Sequence, residues 1–258
     1  MIVAGCDAGT LTTKAVIIND KALIAYEIVS TRAAPDRAAR EALDKALANA
    51  RLKLKKVKYC VGTGWGRKRI SFVDTVSSEI PCLVRGARWF APSARTIINV
   101  GGQSITLIAL NERGKVLDHA TNDKCAAGTG KFIEIMAEAL ELDLNDFGPL
   151  SLQSTKEIKL SNQCIVFAES EVISLLNQGE EIADIVSSIN QSIASGLVTM
   201  VKRVGLREDT CMTGGVAKNS GIIKKLEDML ETNIIQMPEN PQIIGALGAA
   251  IIARETIG

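Results

Sequence analysis

The sequence is poor in aromatic side chains and carries almost no net charge. Its 258 residues include only five Phe, two Tyr and two Trp, and 30 basic residues balance 29 acidic ones. A chain with few stacking platforms and no long-range positive field is not built for non-specific binding to nucleic acid. Hydrophobic residues make up 47% and charged residues 23%, which is the composition of a folded globular protein with one large domain or two smaller ones.

Long apolar runs are also missing. The longest run covers residues 243–253, whereas a membrane-spanning helix needs about 20 apolar residues. The first seven residues contain no basic leader and end on an acid, which is unlike a signal peptide. We therefore expect a cytoplasmic protein that does not contact a membrane.

The six cysteines include no Cys-x-x-Cys pair, which excludes the common zinc-ribbon and thioredoxin patterns. In the cytoplasm they are expected to be free thiols or metal ligands and not disulfides. Cys6, Cys60 and Cys211 fall in predicted strands among apolar neighbours, and Cys82 stands before a short predicted helix, so we expect these four to pack as small hydrophobic groups. His119 is the only histidine, and it is expected to be structural.

The order of predicted elements repeats along the chain. The first series has strands at 2–6, 13–19 and 21–29, a helix at 36–52, a strand at 56–61 and a helix at 82–90. After Pro92, the second series has strands at 96–100, 104–110, 116–120, 210–213 and 233–237, with helices at 128–140, 165–177 and 181–204, from 219 and from 242. This repetition predicts a duplicated α/β fold with a cleft between two halves, 1–93 and 94–258, the last helix packing back on the first half.

Each half opens with a strand, a polar residue and a glycine turn. Asp7-Ala-Gly9 can be laid over Asn99-Val-Gly101, and a third glycine turn, Gly214-Gly215, follows a later strand. Glycine turns let a backbone approach a ligand closely and turn its N–H groups toward an anion. The two corresponding turns therefore predict a nucleotide-binding cleft between the halves.

The first turn combines a carboxylate, hydroxyls and a lysine in one hairpin, Asp7-Ala-Gly-Thr-Leu-Thr-Thr-Lys14. Asp7 suits Mg²⁺, which prefers oxygen ligands. The residues expected around the phosphates here are Gly9, Thr10, Thr12, Thr13 and Lys14. The hairpin is not a Walker A loop, because the only Gly-Lys pair of that kind has Cys125 where the first glycine belongs.

This hairpin resembles the first phosphate motif of the actin, sugar-kinase and heat-shock chaperone ATPase superfamily. Residues 99–102 (Asn-Val-Gly-Gly) resemble its second phosphate motif, and residues 212–219 (Met-Thr-Gly-Gly-Val-Ala-Lys-Asn) its adenosine motif. The resemblance implies a duplicated ribonuclease-H-like, actin-like ATPase fold that binds ATP or ADP with Mg²⁺. The further nucleotide-binding residues that it implies are Gly101, Gly102, Gly214, Gly215 and Lys218.

Two cysteine-containing segments point to one subfamily. Residues 122–132 (Asn-Asp-Lys-Cys-Ala-Ala-Gly-Thr-Gly-Lys-Phe) and 164–172 (Cys-Ile-Val-Phe-Ala-Glu-Ser-Glu-Val) resemble motifs of the 2-hydroxyacyl-CoA dehydratase activators and the benzoyl-CoA reductase ATPase subunits. Residues 62–67 and 245–250 also match, so the resemblance covers nearly the whole chain. It implies a homodimer that shares one 4Fe-4S cluster, with Cys125 and Cys164 as the ligands from each chain.

The same resemblance implies what the homodimer does. ATP binding and hydrolysis would drive a low-potential electron, received from reduced ferredoxin or flavodoxin, into an acceptor iron–sulfur enzyme. That acceptor would be a 2-hydroxyacyl-CoA dehydratase, a benzoyl-CoA reductase or a double-cubane-cluster reductase.

The chemistry of the two cysteines agrees with a shared cluster. A 4Fe-4S cluster normally takes four thiolates, so two from each chain complete the set in a two-fold dimer. Each cysteine stands before a predicted helix, whose N-terminus stabilises thiolate. Four thiolates also suit Zn²⁺, which leaves open a nucleotide-sensing dimer with structural zinc. A small-molecule kinase on the same fold is the other alternative.

The chain departs from its relatives in the second phosphate motif. Relatives usually carry aspartate where this sequence has Asn99 and Ser104. An amide orients a water but cannot take its proton. This difference is therefore expected to affect the rate of ATP hydrolysis, and it disfavours the kinase alternative. Asn99 and Gln103 are predicted around the attacking water, and Glu169 and Glu171, behind Cys164, are candidates to supply a carboxylate, Glu169 at the nucleotide.

Overall fold

The computed structural model describes residues 1–20, 22–122, 128–161 and 165–258, without the side chains of residues 165 and 166. The first series of elements comprises β1 (Val3–Ala8), β2 (Thr12–Ile18), β3 (Leu23–Ser30), α1 (Pro35–Asn49), β4 (Cys60–Thr63), β5 (Thr75–Val76) and α2 (Glu79–Phe90). The strands of the second series are β6 (Thr96–Val100), β7 (Ile105–Leu110), β8 (Val116–Asn122), β9 (Thr210–Thr213) and β10 (Ile234–Ile235). Its helices are α3 (Gly130–Ala139), α4 (Leu144–Ser151), α5 (Ile165–Asn177), α6 (Ile182–Val204), α7 (Ser220–Leu230) and α8 (Ile244–Ile257).

The strands form two five-stranded sheets with the same topology. Their orders are β3-β2-β1-β4-β5 and β8-β7-β6-β9-β10. In each sheet the first three strands of the series form antiparallel pairs. The fourth strand pairs parallel with the first, and the fifth pairs parallel with the fourth. The predicted duplication of an α/β unit is confirmed.

The two hairpins that begin the sheets agree residue by residue. Ala8 pairs with Thr13 in the first sheet, and Val100 pairs with Ile105 in the second. The turns close with the same backbone hydrogen bond, from Gly9 N to the oxygen of Thr12 at 3.1 Å and from the Gly101 N to the oxygen of Ser104 at 2.8 Å. Asp7 and Asn99 therefore occupy equivalent positions, as the sequence comparison predicted.

Helices cover the outer face of each sheet. In α1, buried Ala38, Ala42, Leu43 and Ala46 recur at helical spacing, and the helix packs on β1, β2 and β3. The second sheet carries a larger apolar core that is built with α3, α4, α6 and α7. Both cores are closed on the outside, so the functional surface of each sheet is the edge where the strands end.

Two helices lie between the sheets, and each packs on the sheet of the other half. Helix α8, which follows the second sheet, packs on Val3, Val16 and Val61 of the first, and α2, which follows the first sheet, packs on Ile97 and Ile108 of the second. The two helices approach so closely that a Cβ on Gly248 of α8 would collide with the carbonyl oxygen of Cys82 in α2. These two helices therefore form a packed layer that joins the two halves.

Several element boundaries differ from the sequence prediction. The strand predicted at 56–61 begins only at Cys60, because Leu54–Lys56 forms a 3₁₀ turn. Helix α2 begins at Glu79, so Cys82 lies inside it and is buried. Helix α4 has no predicted counterpart. No helix in the described part of the chain is both long and apolar enough to span a membrane.

Candidate functional site

The glycine turns of both halves open on one cleft with a volume of about 1170 Å³. Across it, the first turn contacts the second, since a Cβ on Gly102 would lie 2.6 Å from the Cγ atom of Leu11. The predicted residues that line this cleft are Asp7, Gly9, Thr10, Thr12, Lys14, Asn99, Gly101, Gly102, Gln103, Ser104, Gly214, Gly215 and Lys218. The cleft thus brings three predicted motifs, remote in sequence, to one place.

Asp7 lies in a confined slot at the end of β1. A Cβ on Gly245, at the start of α8, would lie 2.9 Å from Oδ2 of Asp7, and a Cβ on Gly64 would collide with Oδ1. The Nζ atom of Lys14 lies 3.5 Å from the same Oδ2 and donates a hydrogen bond to the carbonyl oxygen of Thr12 at 3.2 Å. The carboxylate therefore lies against two glycines, at positions where a larger residue would collide with it.

A second carboxylate, Glu79, stands in the cleft at the first position of α2. Burial, together with the negative charge of Asp7, raises the pKa of Glu79 to about 7, against the opposing effect of Lys14 and Arg67. Two like charges in a partly buried cleft are costly unless a proton or a cation separates them. This part of the cleft is therefore suited to a bound cation.

Asn99 joins Glu79 to the second sheet. Its Nδ2 atom donates a hydrogen bond to Oε1 of Glu79 at 3.2 Å, and its Oδ1 atom accepts one from the hydroxyl of Thr213 at 3.1 Å. The two bonds fix which end of the amide faces which partner. The amide at position 99 thus holds the Glu79 carboxylate at the point where the halves meet.

The sequence analysis missed Glu79. A serine followed by a glutamate at a helix N-terminus is a common capping pattern, and no spacing connects it with Asp7 or Asn99. Residues 62–67 were a local signal in the sequence that more residues surround Asp7. Gly64 packs on Asp7, and the side chain of Arg67 donates a hydrogen bond to the carbonyl oxygen of Gly64 at 3.0 Å.

The turn at Gly214, which is predicted to bind adenosine, repeats the geometry of the turn that follows β4. Gly214 and Gly64 both have φ of +85°, and each follows the strand parallel to the first strand of its half. A Cβ on Gly214 would collide with the carbonyl oxygen of Val100, as one on Gly64 would with Asp7. Residues 142–145 line the cleft together with this turn. The glycine brings this turn close to the backbone of Val100 without a side chain between them.

Two predicted residues do not line the cleft. Thr13 is fully buried, and its hydroxyl contacts that of Thr31 at 2.9 Å, which in turn donates to the carbonyl oxygen of Gly9 at 2.9 Å. Thr13 thus supports the phosphate turn from behind. Glu169 is half-buried on α5, outside the residues that line the cleft.

The remaining predicted residues concern the cysteines. Cys125 and Cys164 lie outside the described residues. The cysteines predicted to pack, Cys6, Cys60, Cys82 and Cys211, are all buried free thiols, which confirms that prediction.

Helix α3 connects the second phosphate turn with the segment that contains Cys125. The first two residues of α3 donate backbone hydrogen bonds to the turn, from the N of Gly130 to the oxygen of Gly101 at 2.9 Å and from the N of Lys131 to the oxygen of Gly102 at 2.8 Å. A Cβ on Gly130 would lie 3.2 Å from the same Gly101 oxygen, so this contact is tight. The second turn and the N-terminus of α3 are therefore bonded directly to each other.

The comparisons with known proteins agree with this geometry. The chain is 43% identical over 259 residues to the activator of lactoyl-CoA dehydratase from Anaerotignum propionicum, covering 99% of this chain and 98% of that protein. The solved structure of the activator of the 2-hydroxyisocaproyl-CoA dehydratase from Clostridium difficile, with bound ADPNP, superposes with a TM-score of 0.94 at 38% identity, covering 99% of this chain and 95% of that one.

More distant structures share the fold alone. A glucokinase of the ROK family from Streptomyces griseus superposes with a TM-score of 0.61 at 11% identity, covering 99% of this chain and 100% of that one. The fold is therefore that of the actin-like ATPases and sugar kinases. The sequence profile of the BadF/BadG/BcrA/BcrD ATPase family matches residues 4–253. The chain belongs to this ATPase family.

Proposed function

We propose that this chain is the ATP-dependent reductive activator of an iron–sulfur enzyme. It would act as a homodimer that uses ATP to drive a low-potential electron into a 2-hydroxyacyl-CoA dehydratase, a benzoyl-CoA reductase or a double-cubane-cluster reductase. The names of its relatives support an acceptor of the first two kinds. The observation that carries the proposal is the contact of α3 with the second phosphate turn, because it links the nucleotide cleft to the segment of Cys125.

ATP with Mg²⁺ is the nucleotide form that fits the cleft. Asp7 would hold the ion, through water, and the carboxylate of Glu79 adds a second negative charge nearby. When bound, the ion neutralises charge on the β- and γ-phosphates. The Nζ atom of Lys14 lies 3.5 Å from Oδ2 of Asp7, and in this proposal it contacts a phosphate oxygen. The carboxylate oxygens of Asp7 and Glu79, which both line the cleft, are the kind of ligand that Mg²⁺ prefers.

Cys125 and Cys164 of each chain would hold the shared 4Fe-4S cluster. The four other cysteines are buried in the cores, and the described residues contain no group of three or more His, Cys, Asp or Glu side chains that could hold a metal ion. Two thiolates per chain fit four iron sites only across a two-fold axis. When bound, such a cluster supplies a one-electron carrier, which reduced ferredoxin or flavodoxin would load. Free thiols in the described residues suit a reducing cytoplasm.

Nucleotide and cysteines would be coupled through helix positions. Binding of the γ-phosphate at residues 101–102 pulls on the backbone to which the first residues of α3 are bonded. Since α3 follows directly on the Cys125 segment, a change in the angle of α3 changes the spacing of the paired cysteines in a dimer. The acceptor enzyme must bind the ATP state better than the ADP state, because only a difference in affinity shifts the population.

The test is whether nucleotide alters the metal site. The protein is purified without oxygen, reduced with dithionite and titrated with Mg²⁺ and ADPNP while its EPR spectrum and the rate of iron removal by a chelator are measured. We expect both to change on saturation with ADPNP and to remain constant with GDP as the matched control. An EPR signal and a chelation rate that do not respond to ADPNP would overturn the proposed coupling.

A further inference from the structure

The geometry points to a second binding site in the cleft, one for a phosphorylated purine such as coenzyme A or a second adenine nucleotide. Its residues line the cleft but lie outside the two phosphate motifs and the adenosine motif; they are Arg32, Trp65, Arg67 and Arg69. The cleft has a volume of about 1170 Å³, whereas a pocket for one drug-sized ligand has about 300–1,000 Å³, so a first nucleotide leaves part of it free. The inference rests on nucleotide binding in the cleft and not on the proposed electron transfer.

Two loops of the first half meet at this end of the cleft. Arg32 is on the loop that follows β3, and the other three residues are on the loop that follows β4. A Cβ on Gly66 would lie 2.9 Å from the Cβ atom of Pro35, so the loops are in close contact. The backbone N and the hydroxyl of Ser71 donate hydrogen bonds to Oδ1 of Asp36 at 2.7 and 2.9 Å. These contacts place all four residues of the proposed site at one end of the cleft.

Trp65 is exposed although the backbone on both sides of it is buried. The residue is 70% exposed, and its neighbours are two buried glycines. Gly64 has φ of +85° and packs against Asp7, and the N of Gly66 donates a hydrogen bond to the carbonyl oxygen of Ala8 at 2.8 Å. An indole that is fixed at the surface of a cleft is a platform on which a planar ring stacks.

A first nucleotide does not occupy this indole. The motif that is predicted to bind adenosine, with Gly214 and Gly215, follows β9 in the second half, whereas Trp65 follows β4 in the first half. The base of a nucleotide bound at that motif therefore lies against the second half of the molecule. A ring that stacks on Trp65 belongs to a different ligand.

Three guanidinium groups at this end of the cleft are not neutralised by a carboxylate. Within the residues that the structure describes, neither Arg32 nor Arg67 nor Arg69 forms an ion pair. On the adjoining helix α1, Glu41 pairs instead with Lys45 at 2.8 Å. A guanidinium group binds phosphate through two parallel hydrogen bonds. The ring and the cations together fit a purine that carries phosphate groups.

The distribution of charge along the chain favours an anion at this site. Residues 1–93 contain 16 Lys and Arg but only eight Asp and Glu, so the first half is basic although the whole chain is nearly neutral. Asp7, the carboxylate behind this loop, is only 16% exposed and lies 3.5 Å from the Nζ atom of Lys14. An excess of positive charge around a cleft raises the local concentration of anions.

Tryptophan fluorescence tests the site directly, because the chain has only two tryptophans. In Trp89→Phe, which keeps a ring beside the guanidinium of Arg254, Trp65 is the only tryptophan left. The purified dimer of this variant is saturated with ADP and Mg²⁺, and coenzyme A is then added stepwise. We expect saturable quenching of Trp65 at one equivalent per chain while ADP stays bound. No quenching, or release of the bound ADP by coenzyme A, overturns the inference.

Calorimetric titration of the ADP-saturated dimer, otherwise wild type, provides a second measurement that does not depend on Trp89→Phe. Arg69→Gln removes one guanidinium group, and Lys68→Gln is the matched control, because Lys68 is exposed beside it but does not line the cleft. We expect Arg69→Gln to weaken coenzyme A binding by about tenfold, with ADP affinity within about threefold of wild type and with Lys68→Gln unchanged. Equal coenzyme A affinities in the two variants contradict a site built on these arginines.

Three probes distinguish the possible sources of the ligand. Coenzyme A, a second equivalent of ADP and inorganic pyrophosphate are each titrated into the ADP-saturated dimer. Tighter binding of coenzyme A supports a coenzyme A site, and tighter binding of ADP supports a second nucleotide site. Pyrophosphate should bind at least about tenfold more weakly than the tighter of these two, because it has no ring to stack. Pyrophosphate that binds as tightly as both overturns a purine site, whereas an empty dimer that binds no ADP at all contradicts the first nucleotide site.

Discussion

The side-chain amide of Asn99 donates a hydrogen bond to the carboxylate of Glu79 at 3.2 Å. Asn99 lies at the end of β6 in the second sheet, and Glu79 begins the helix that follows the first sheet. The bond therefore crosses from one half of the molecule to the other at the base of the cleft. An aspartate at position 99 would put two carboxylates in contact, so the amide is the side chain that this neighbour requires.

Changing Asn99→Asp should slow ATP hydrolysis and not restore it. The new carboxylate would repel Glu79 and favour its protonated form, and the hydrogen bond that Asn99 donates to Glu79 would give way to a contact between two carboxyl groups. We expect kcat to fall by about tenfold or more, with a much smaller change in KM, measured by phosphate release at saturating ATP.

Asn111→Asp provides the matched control for this change. Asn111 uses its side-chain oxygen to accept from the backbone N of Lys115, which a carboxylate does equally well, so kcat should be unchanged. A higher kcat in Asn99→Asp would show instead that the amide at position 99 slows ATP hydrolysis in the wild type.

The stability of the nucleotide-free protein should depend on pH through Glu79. Its pKa is raised to about 7 in the folded state, mainly by burial, against an ordinary value of 4.5. The folded state then binds more protons than the unfolded state between these values, so the free energy of unfolding falls as pH rises from about 5 to about 7. The change from this residue is on the order of 2–3 kcal/mol. Urea denaturation at pH 5 and pH 8 measures it.

Glu79→Gln should remove this part of the pH dependence, since glutamine does not titrate. The difference between the two proteins is the quantity to compare, because other groups titrate over the same range. Identical pH dependence in wild type and variant would show that Glu79 carries its ordinary charge in the empty cleft.

The sequence was informative where the chemistry is local. Asp7, Gly9 and Lys14 were predicted because a strand, a glycine turn and a second strand lie within one hairpin. The equivalence of Asp7 and Asn99 followed from a repeated pattern and is confirmed by the register. Glu79 could not be predicted in the same way, because its partners come from other elements and meet only after α2 crosses to the second sheet.

The errors in secondary structure have similar causes. Helix α4 contains Gly148 and Pro149, which are typical of a turn in sequence, but its Phe147 is fully buried in the core of the second half. Tertiary burial here outweighs weak local helix propensity. Strand β5 consists of two exposed residues, too few to show a periodicity.

Gly214→Ala should disrupt the turn that is predicted to bind adenosine. Gly214 has φ of +85°, and a Cβ there would collide with the carbonyl oxygen of Val100, so both backbone strain and a steric clash oppose alanine. Gly179→Ala is the matched control, because Gly179 has φ of +81° and no atom in the described part of the chain lies within 4 Å of its Cβ position.

We expect Gly179→Ala to cost about 1 kcal/mol of stability and Gly214→Ala about 2–4 kcal/mol, with loss of ADPNP binding only in the latter. Thermal denaturation and calorimetric titration measure the two effects. Equal costs in the two variants would mean that the turn relaxes around the added methyl group.

Gly130→Ala should weaken the coupling between nucleotide and cysteines. The added Cβ would press on the carbonyl oxygen of Gly101 and loosen the bonds that join α3 to the phosphate turn. ADPNP should still bind within about tenfold of the wild-type affinity, but the nucleotide-dependent EPR change should shrink at least by half.

The control for Gly130→Ala is Gly196→Ala within α6. Among the described residues, a Cβ at Gly196 meets no atom within 4 Å beyond its own helix, so alanine should leave the coupling intact and stabilise the helix by about 0.5–1 kcal/mol. If Gly130→Ala keeps the full nucleotide-dependent EPR change, the coupling between nucleotide and cysteines does not run through α3.

Iron and sulfide analysis of the anaerobically purified dimer is the decisive measurement, performed on wild type, Cys125→Ala, Cys164→Ala and the buried-cysteine control Cys60→Ala. Wild type and Cys60→Ala should contain about four iron and four sulfide ions per dimer, and either of the other two variants should contain almost none. Zinc in place of iron, or a cluster that persists in Cys125→Ala and Cys164→Ala, would contradict a shared 4Fe-4S centre and with it the reductive activator.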